Sequence, residues 1–119
     1  MMSDIYLKTL AFKAYREEVL QDSFLEEDFE YDGEDFFYEG IMHSILSDLE
    51  VEQMFIKHQG DLTETIRNCL EDCNLLDLLP HIDIDGYCED TMLQNVLNGY
   101  IAVDVHANNN IYTFIIKEL

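Results

Sequence analysis

Positive charge is what this chain most lacks. Only six Lys and Arg stand among its 119 residues: Lys8, Lys13 and Arg16 near the start, then Lys57, Arg67 and Lys117. Nucleic-acid affinity depends on cations meeting phosphates, so direct DNA or RNA binding is disfavoured, and the patch of Lys8, Lys13 and Arg16 is too small to reverse this. Glycine is also sparse. Its five copies are scattered singly, which suits caps and turns and leaves no phosphate-binding loop, dinucleotide fingerprint or nucleophile elbow. No stretch approaches the roughly 20 apolar residues of a membrane span. Met1-Met2-Ser3-Asp4 has no basic region running into an apolar block, so no signal peptide is expected, and a cytosolic location is.

Cysteine is limited to Cys69, Cys73 and Cys88. The odd number, with Cys69 and Cys73 one helical turn apart, reads as reduced thiols of a cytosolic protein rather than a disulfide framework. Cys69, Cys73, His81 and Cys88 include zinc-ligand types, but without paired C-x-x-C spacing they read as small apolar residues and an isolated histidine. His43, His58, His81 and His106 stand in no pattern such as H-E-x-x-H. Acid pairs such as Glu17-Glu18 and Glu71-Asp72 arise by chance in so acidic a chain and point to no acid/base catalysis. His81-Ile82-Asp83-Ile84-Asp85-Gly86 has acids at alternate positions before glycine, as in a calcium loop. The first and twelfth ligand positions of that loop hold His81 and Met92, so the expected structure is a turn around Asp85-Gly86. Neither catalysis nor a cofactor or metal is expected.

What is abundant is carboxylate. Asp and Glu number 26, for a formal net charge of −20, far beyond the magnitude of about 2–8 that keeps a small domain soluble. Such a charge opposes the compact state by self-repulsion. From Glu17 to Ile56 there are 14 acids and no base; from His58 to Ile116, ten acids and one base. The densest part runs from Asp22 to Asp35, with Asp22, Glu26, Glu27, Asp28, Glu30, Asp32, Glu34 and Asp35 interleaved with Phe24, Leu25, Phe29 and Tyr31. A flexible acidic tail would be poor in aromatics. Here Phe24, Leu25 and Phe29 are expected to pack on the core and hold the carboxylates outward.

With 48% apolar residues, seven Phe and seven Tyr, the chain can fill a core, and its length suits one domain. A first helix is expected from a cap at Ser3 or Asp4 to about Leu20, with Leu7, Leu10, Ala11, Ala14 and Tyr15 at helical spacing; a strand over Ile5 to Phe12 is the rival. Gly33 breaks the acidic connection. A second helix is expected from about Glu34 to Ser47 with Phe37, Ile41 and Ile45 on one face, its first turn favouring Glu34 and Asp35 through the helix dipole. Ser47-Asp48-Leu49-Glu50 matches a capping box opening a helix to Gln59, capped by Gly60. Asp61-Leu62-Thr63-Glu64 opens the next, with Pro80 just past its end, and a short one spans about Thr91 to Asn98, ending at Gly99. Then the period changes. Tyr100 to His106 alternates, Ile111 to Ile116 is β-branched and aromatic, and Ala107-Asn108-Asn109-Asn110 between them predicts a hairpin. The expected fold is α+β: four or five short helices with a C-terminal antiparallel β-hairpin.

Duplex DNA carries one charge per about 1.7 Å, so a globule of this length, on the order of 35 Å across, matches duplex bearing roughly 20 charges. In size and charge the chain is similar to the small acidic inhibitors that phages and mobile elements direct against restriction, CRISPR and repair enzymes, though no shared motif accompanies the similarity. The expected function is non-enzymatic nucleic-acid mimicry. The expected partner is a basic nucleic-acid-binding protein, a nuclease or nuclease complex of bacterial defence in the host cytosol, met by Asp22, Glu26, Glu27, Asp28, Phe29, Glu30, Tyr31, Asp32, Glu34 and Asp35. The alternative is an immunity protein or antitoxin that blocks a basic nuclease toxin, which shares the same electrostatics. Salt adaptation, in which acidity only holds hydration, fits less well with the abundance of Ile, Leu, Phe and Tyr and with the concentration of charge over residues 17–56.

Overall fold

The structure, a computed structural model, describes residues 4–119. Ser3, one of the two candidate helix caps, lies outside the described residues. The chain divides into two compact units, Met1–Asp48 with Gly99–Leu119, and Leu49–Asn98.

In the first unit, helix α1 (Asp4–Ala14) runs into a π-helical turn (Tyr15–Val19), so the helical reading holds there and the strand reading does not. Leu7, Ala11, Phe12 and Tyr15 form its buried stripe. After the acidic stretch come strands β1 (Phe29–Tyr31), β2 (Phe36–Tyr38) and β3 (Ile41–Ser47). Strands β4 (Ile101–Ala107) and β5 (Asn110–Glu118) are the expected C-terminal hairpin. All neighbours pair antiparallel in one five-stranded sheet of order β1-β2-β3-β5-β4. The α1 stripe covers the face of the sheet that carries Phe36, Tyr38, Ile45, Val103, Val105, Phe114 and Ile116. Phe12 and Ile116 are wholly buried, each contributing on the order of 1.5–3 kcal/mol of apolar burial.

The α+β class is therefore present, with a sheet larger than the hairpin alone. The expected helix from Glu34 to Ser47 is instead β2, a tight turn and β3. Phe36 and Tyr38 point into the core, as do His43 and Ile45, a period of two that competes with the helical spacing of Phe37, Ile41 and Ile45. Glu39 (φ +51°) and Gly40 (φ +79°) both have left-handed backbone, as a two-residue hairpin turn requires. Asn108 (φ +53°) and Asn109 (φ +63°) do the same between β4 and β5.

In the second unit, helix α2 (Asp48–Asp72) begins where the capping-box pattern places a start. It then runs unbroken through Gly60, where a cap and a new start had been expected. A single interior glycine costs a helix only about 1 kcal/mol, which cannot stop one this long. A 3₁₀ segment (Leu76–His81) follows, containing Pro80, then α3 (Ile84–Thr91) and a π-helical turn (Met92–Val96). The last helix thus starts seven residues before the expected Thr91. Asp85-Gly86 lies inside its first turn rather than in a loop: Asp83 caps it, accepting a hydrogen bond from the Gly86 N–H at 3.0 Å, and any Cβ at Gly86 would collide with the Asp83 carboxylate. Cys88 and Met92 are the buried apolar residues here, and α2 has none.

Candidate functional site

The dense acidic stretch is held by an aromatic cluster. Phe12 of α1 stacks on Phe29 with ring centres 4.8 Å apart, meets Phe24 edge-on at 5.9 Å and lies 5.3 Å from Tyr38. Phe24 stacks on Tyr38 at 5.8 Å, Phe29 on Phe36 at 5.6 Å, and Tyr31 lies 4.7 Å from Phe36. Phe24 and Phe29 thus pack on the core as expected; Leu25, 49% exposed, does not. A second fastening comes from Arg16, whose Nε and Nη2 donate to the Ser23 carbonyl at 3.2 and 3.1 Å and whose Nη2 also pairs with Asp22 at 3.2 Å. The Leu25 N–H donates to the Tyr38 hydroxyl at 3.1 Å.

From Glu26 onward the backbone sets the carboxylates. Glu26, Glu27 and Asp28 form one 3₁₀ turn, and β1 follows. In an extended strand successive side chains alternate between faces. Phe29 and Tyr31 join the aromatic cluster, while Glu30 lies opposite Phe37 on the other face. Asp32 makes the turn to β2: its Oδ1 accepts from the N–H groups of Asp35 (2.7 Å) and Glu34 (2.9 Å), and Gly33 takes φ +100°. Those N–H groups, Asp35 first and then Glu34, hold the Asp32 carboxyl below its ordinary pKa. Tyr31 closes the turn by donating its hydroxyl to the Gly33 carbonyl at 2.8 Å. Glu34 and Asp35 therefore sit in a turn before a strand, and the helix dipole expected to favour them is absent.

Glu26, Glu27, Glu30, Asp32 and Glu34 are exposed, and Asp28 and Asp35 half-buried. Among the described residues none of these seven is ion-paired with a base; Asp22 alone of the eight acids is, with Arg16. Glu30, Tyr31, Asp32, Phe37 and Gly40 line a concavity. Two carboxylates beside aromatic rings suit a guanidinium or ammonium head and its apolar stem. Phe37, Glu39 and Gly40 were not singled out from the sequence. The signal for them was Glu39-Gly40 between two aromatic or β-branched runs, which reads as a tight hairpin turn.

The other candidates are separate. Among the described residues no three His, Cys, Asp or Glu side chains gather as a metal site. Cys69 and Cys73 are exposed. Cys88 is buried with its thiol 4.0 Å from the Phe55 carbonyl, and burial, then the Asp85 charge, pushes that thiol up. His43 is a core residue: it donates from Nδ1 to the Ile41 carbonyl at 2.9 Å and meets Phe12 edge-on at 4.9 Å. Among the described residues no helix is long and apolar enough to cross a membrane.

No family model, no curated protein and no solved structure matches this chain.

Proposed function

We infer that this protein is a non-enzymatic inhibitor that mimics nucleic acid and occupies the basic nucleic-acid-binding surface of a bacterial defence nuclease, of the anti-CRISPR or anti-restriction type. One observation carries this: exposed carboxylates at Glu26, Glu27, Glu30, Asp32 and Glu34, none ion-paired among the described residues, stand on a backbone pinned from behind by Phe24 and Phe29. Preorganised anions lose little freedom on binding, which favours affinity. Several like charges within one short segment meet a groove of Lys and Arg built for closely spaced phosphates. The exposed ring of Tyr31 supplies an apolar anchor beside the charges, the kind of residue on which interface energy concentrates.

The test is capture and displacement. Immobilised protein is mixed with bacterial lysate at about 0.1 M salt, where the Debye length is about 10 Å, and then washed with duplex DNA. Mimicry expects a basic nucleic-acid-binding protein to be released by the DNA, and that protein to be inhibited in one-to-one stoichiometry. A captured partner that duplex and single-stranded nucleic acid fail to displace contradicts it, as does one copy disabling many copies of its target.

A further inference from the structure

The sheet ends on β4, and that edge is open. Among the described residues β4 pairs only with β5, while the opposite edge, β1, is three residues long. The two-residue turn at Asn108-Asn109 fixes which groups of β4 are free. In such a hairpin the flanking residues, Ala107 and Asn110, form a hydrogen-bonded pair. Counting back through the register, Val105↔Tyr112, Val103↔Phe114 and Ile101↔Ile116 are then the bonded pairs. The N–H and C=O groups of Ala102, Asp104 and His106 point away from β5, along the open edge. All three of these residues are exposed, and of the devices by which proteins blunt a free edge β4 holds no proline, lysine or bulge and a single charge, Asp104.

We propose that β4 pairs antiparallel with β4 of a second copy of this chain, about a two-fold axis at Val105, to make a continuous ten-stranded sheet. The register follows from charge. Residues opposite each other in an antiparallel pair share a face. An axis at Asp104 would set that carboxylate against its own copy. An axis at Val105 sets Asp104 against His106 of the second copy, twice by symmetry, and makes both of these hydrogen-bonded pairs from the groups that point outward. Asp104 is ready for it: its Oδ1 accepts from the Thr113 hydroxyl at 2.8 Å, while its second oxygen has no partner among the described residues. Val105 then faces Val105, and Val103 faces Ala107. The net charge of −20 per chain opposes this at low salt, so self-association strengthens as salt rises. The salt dependence is opposite in sign to that of a cationic partner, and the pairing goes beyond the proposed function and stands or falls without it.

The test is sedimentation equilibrium of the full chain in about 1 M NaCl, where the Debye length is about 3 Å. Wild type is expected as a reversible dimer of the 14.0 kDa chain. Compared with wild type at about 0.15 M salt, where the Debye length is about 8 Å and charges at cross-strand spacing are not screened out, His106→Asp sets acid against acid at both pairs and should weaken the dimer roughly tenfold or more. The exchange D104H/H106D sets imidazole against carboxylate again and should recover the wild-type constant. A wild type that stays monomeric, an H106D dimer of unchanged strength, or a double variant as weak as H106D overturns the proposal. A second readout needs no variant: the outward amide N–H groups of Asp104 and His106 should exchange more slowly at high protein concentration than at low. Exchange independent of concentration overturns the proposal, and so does pairing found only with a foreign strand.

Discussion

The guanidinium carbon of Arg16 lies 4.4 Å from the centre of the Tyr38 ring, and both side chains donate to the same acceptor, the carbonyl of Ser23. Arg16 comes from the π-helical turn after α1 and Tyr38 from β2. Between them they fix the start of the acidic stretch to the core. The Arg16 side chain is 16% exposed and its partner Asp22 is 61% exposed.

Removing the two ends of that ion pair should therefore have unequal effects. Asp22→Asn loses only a largely solvated pair, worth about 0–1 kcal/mol. Arg16→Gln loses two hydrogen bonds to Ser23 and the ring contact, and should cost about 1–2 kcal/mol by urea unfolding. It should also speed amide exchange at Leu25, whose N–H is bound to Tyr38. Equal costs for the two variants would show that charge pairing, not the shared carbonyl, holds the segment.

Gly60 stands inside α2 with no atom beyond its chain neighbours and the adjoining helix backbone within 4 Å of where a Cβ would sit, and its φ is not positive. Gly60→Ala should stabilise the second unit by about 0.5–1 kcal/mol, read as a higher urea midpoint in the helical circular dichroism signal. A destabilised variant would mean that α2 is interrupted at Gly60.

That glycine also shows where the sequence was legible and where it was not. The hairpin at Asn108-Asn109 was readable because alternation, β-branched residues and left-handed asparagines agree. The start of α2 was readable from Ser47 to Glu50. The stop at Gly60 was misread because glycine marks a cap only when the chain turns left-handed there, and sequence does not report φ. At Phe36–Ser47 a helical spacing of Phe37, Ile41 and Ile45 coexists with a strand spacing of Phe36, Tyr38, His43 and Ile45. Cross-strand pairing with β5, distant in sequence, decides between them: Ile45 lies opposite Ile116. For the acidic stretch, the composition pointed to outward carboxylates on an apolar footing. The footing itself, Phe12 with Tyr38 and Arg16, is a set of long-range contacts with no local signature.

Burial holds the pKa of His43 below its ordinary value of 6.5, against the opposing bond to Ile41 and charge of Glu118. The unfolded chain takes a proton near pH 6.5 that the buried ring resists, so stability is lost as pH falls below about 6.5 towards the folded value. His43→Gln, which keeps a donor for the Ile41 carbonyl, should flatten the slope of unfolding free energy between about pH 7 and pH 5.5, at some cost in packing against Phe12. Parallel slopes in the two proteins would show that the ring is protonated freely in the fold.

Mimicry by the segment from Glu26 to Glu34 is tested most directly by charge reversal against a matched control. Glu26, Glu27, Glu30 and Glu34 are changed to Lys in one variant, and Glu64, Glu71, Asp72 and Asp77, all exposed in the second unit, in the other. Both shift net charge equally, so any general electrostatic effect on association is common to them. The captured partner's affinity is then measured for each at about 0.15 M salt, with a Debye length of about 8 Å, after circular dichroism and melting confirm that both fold. A localised site expects the first variant to lose binding by a hundredfold or more, roughly 2.7 kcal/mol, and the control to lose far less. Equal losses would show that only net charge matters, and loss in the control alone would place the binding surface on the second unit.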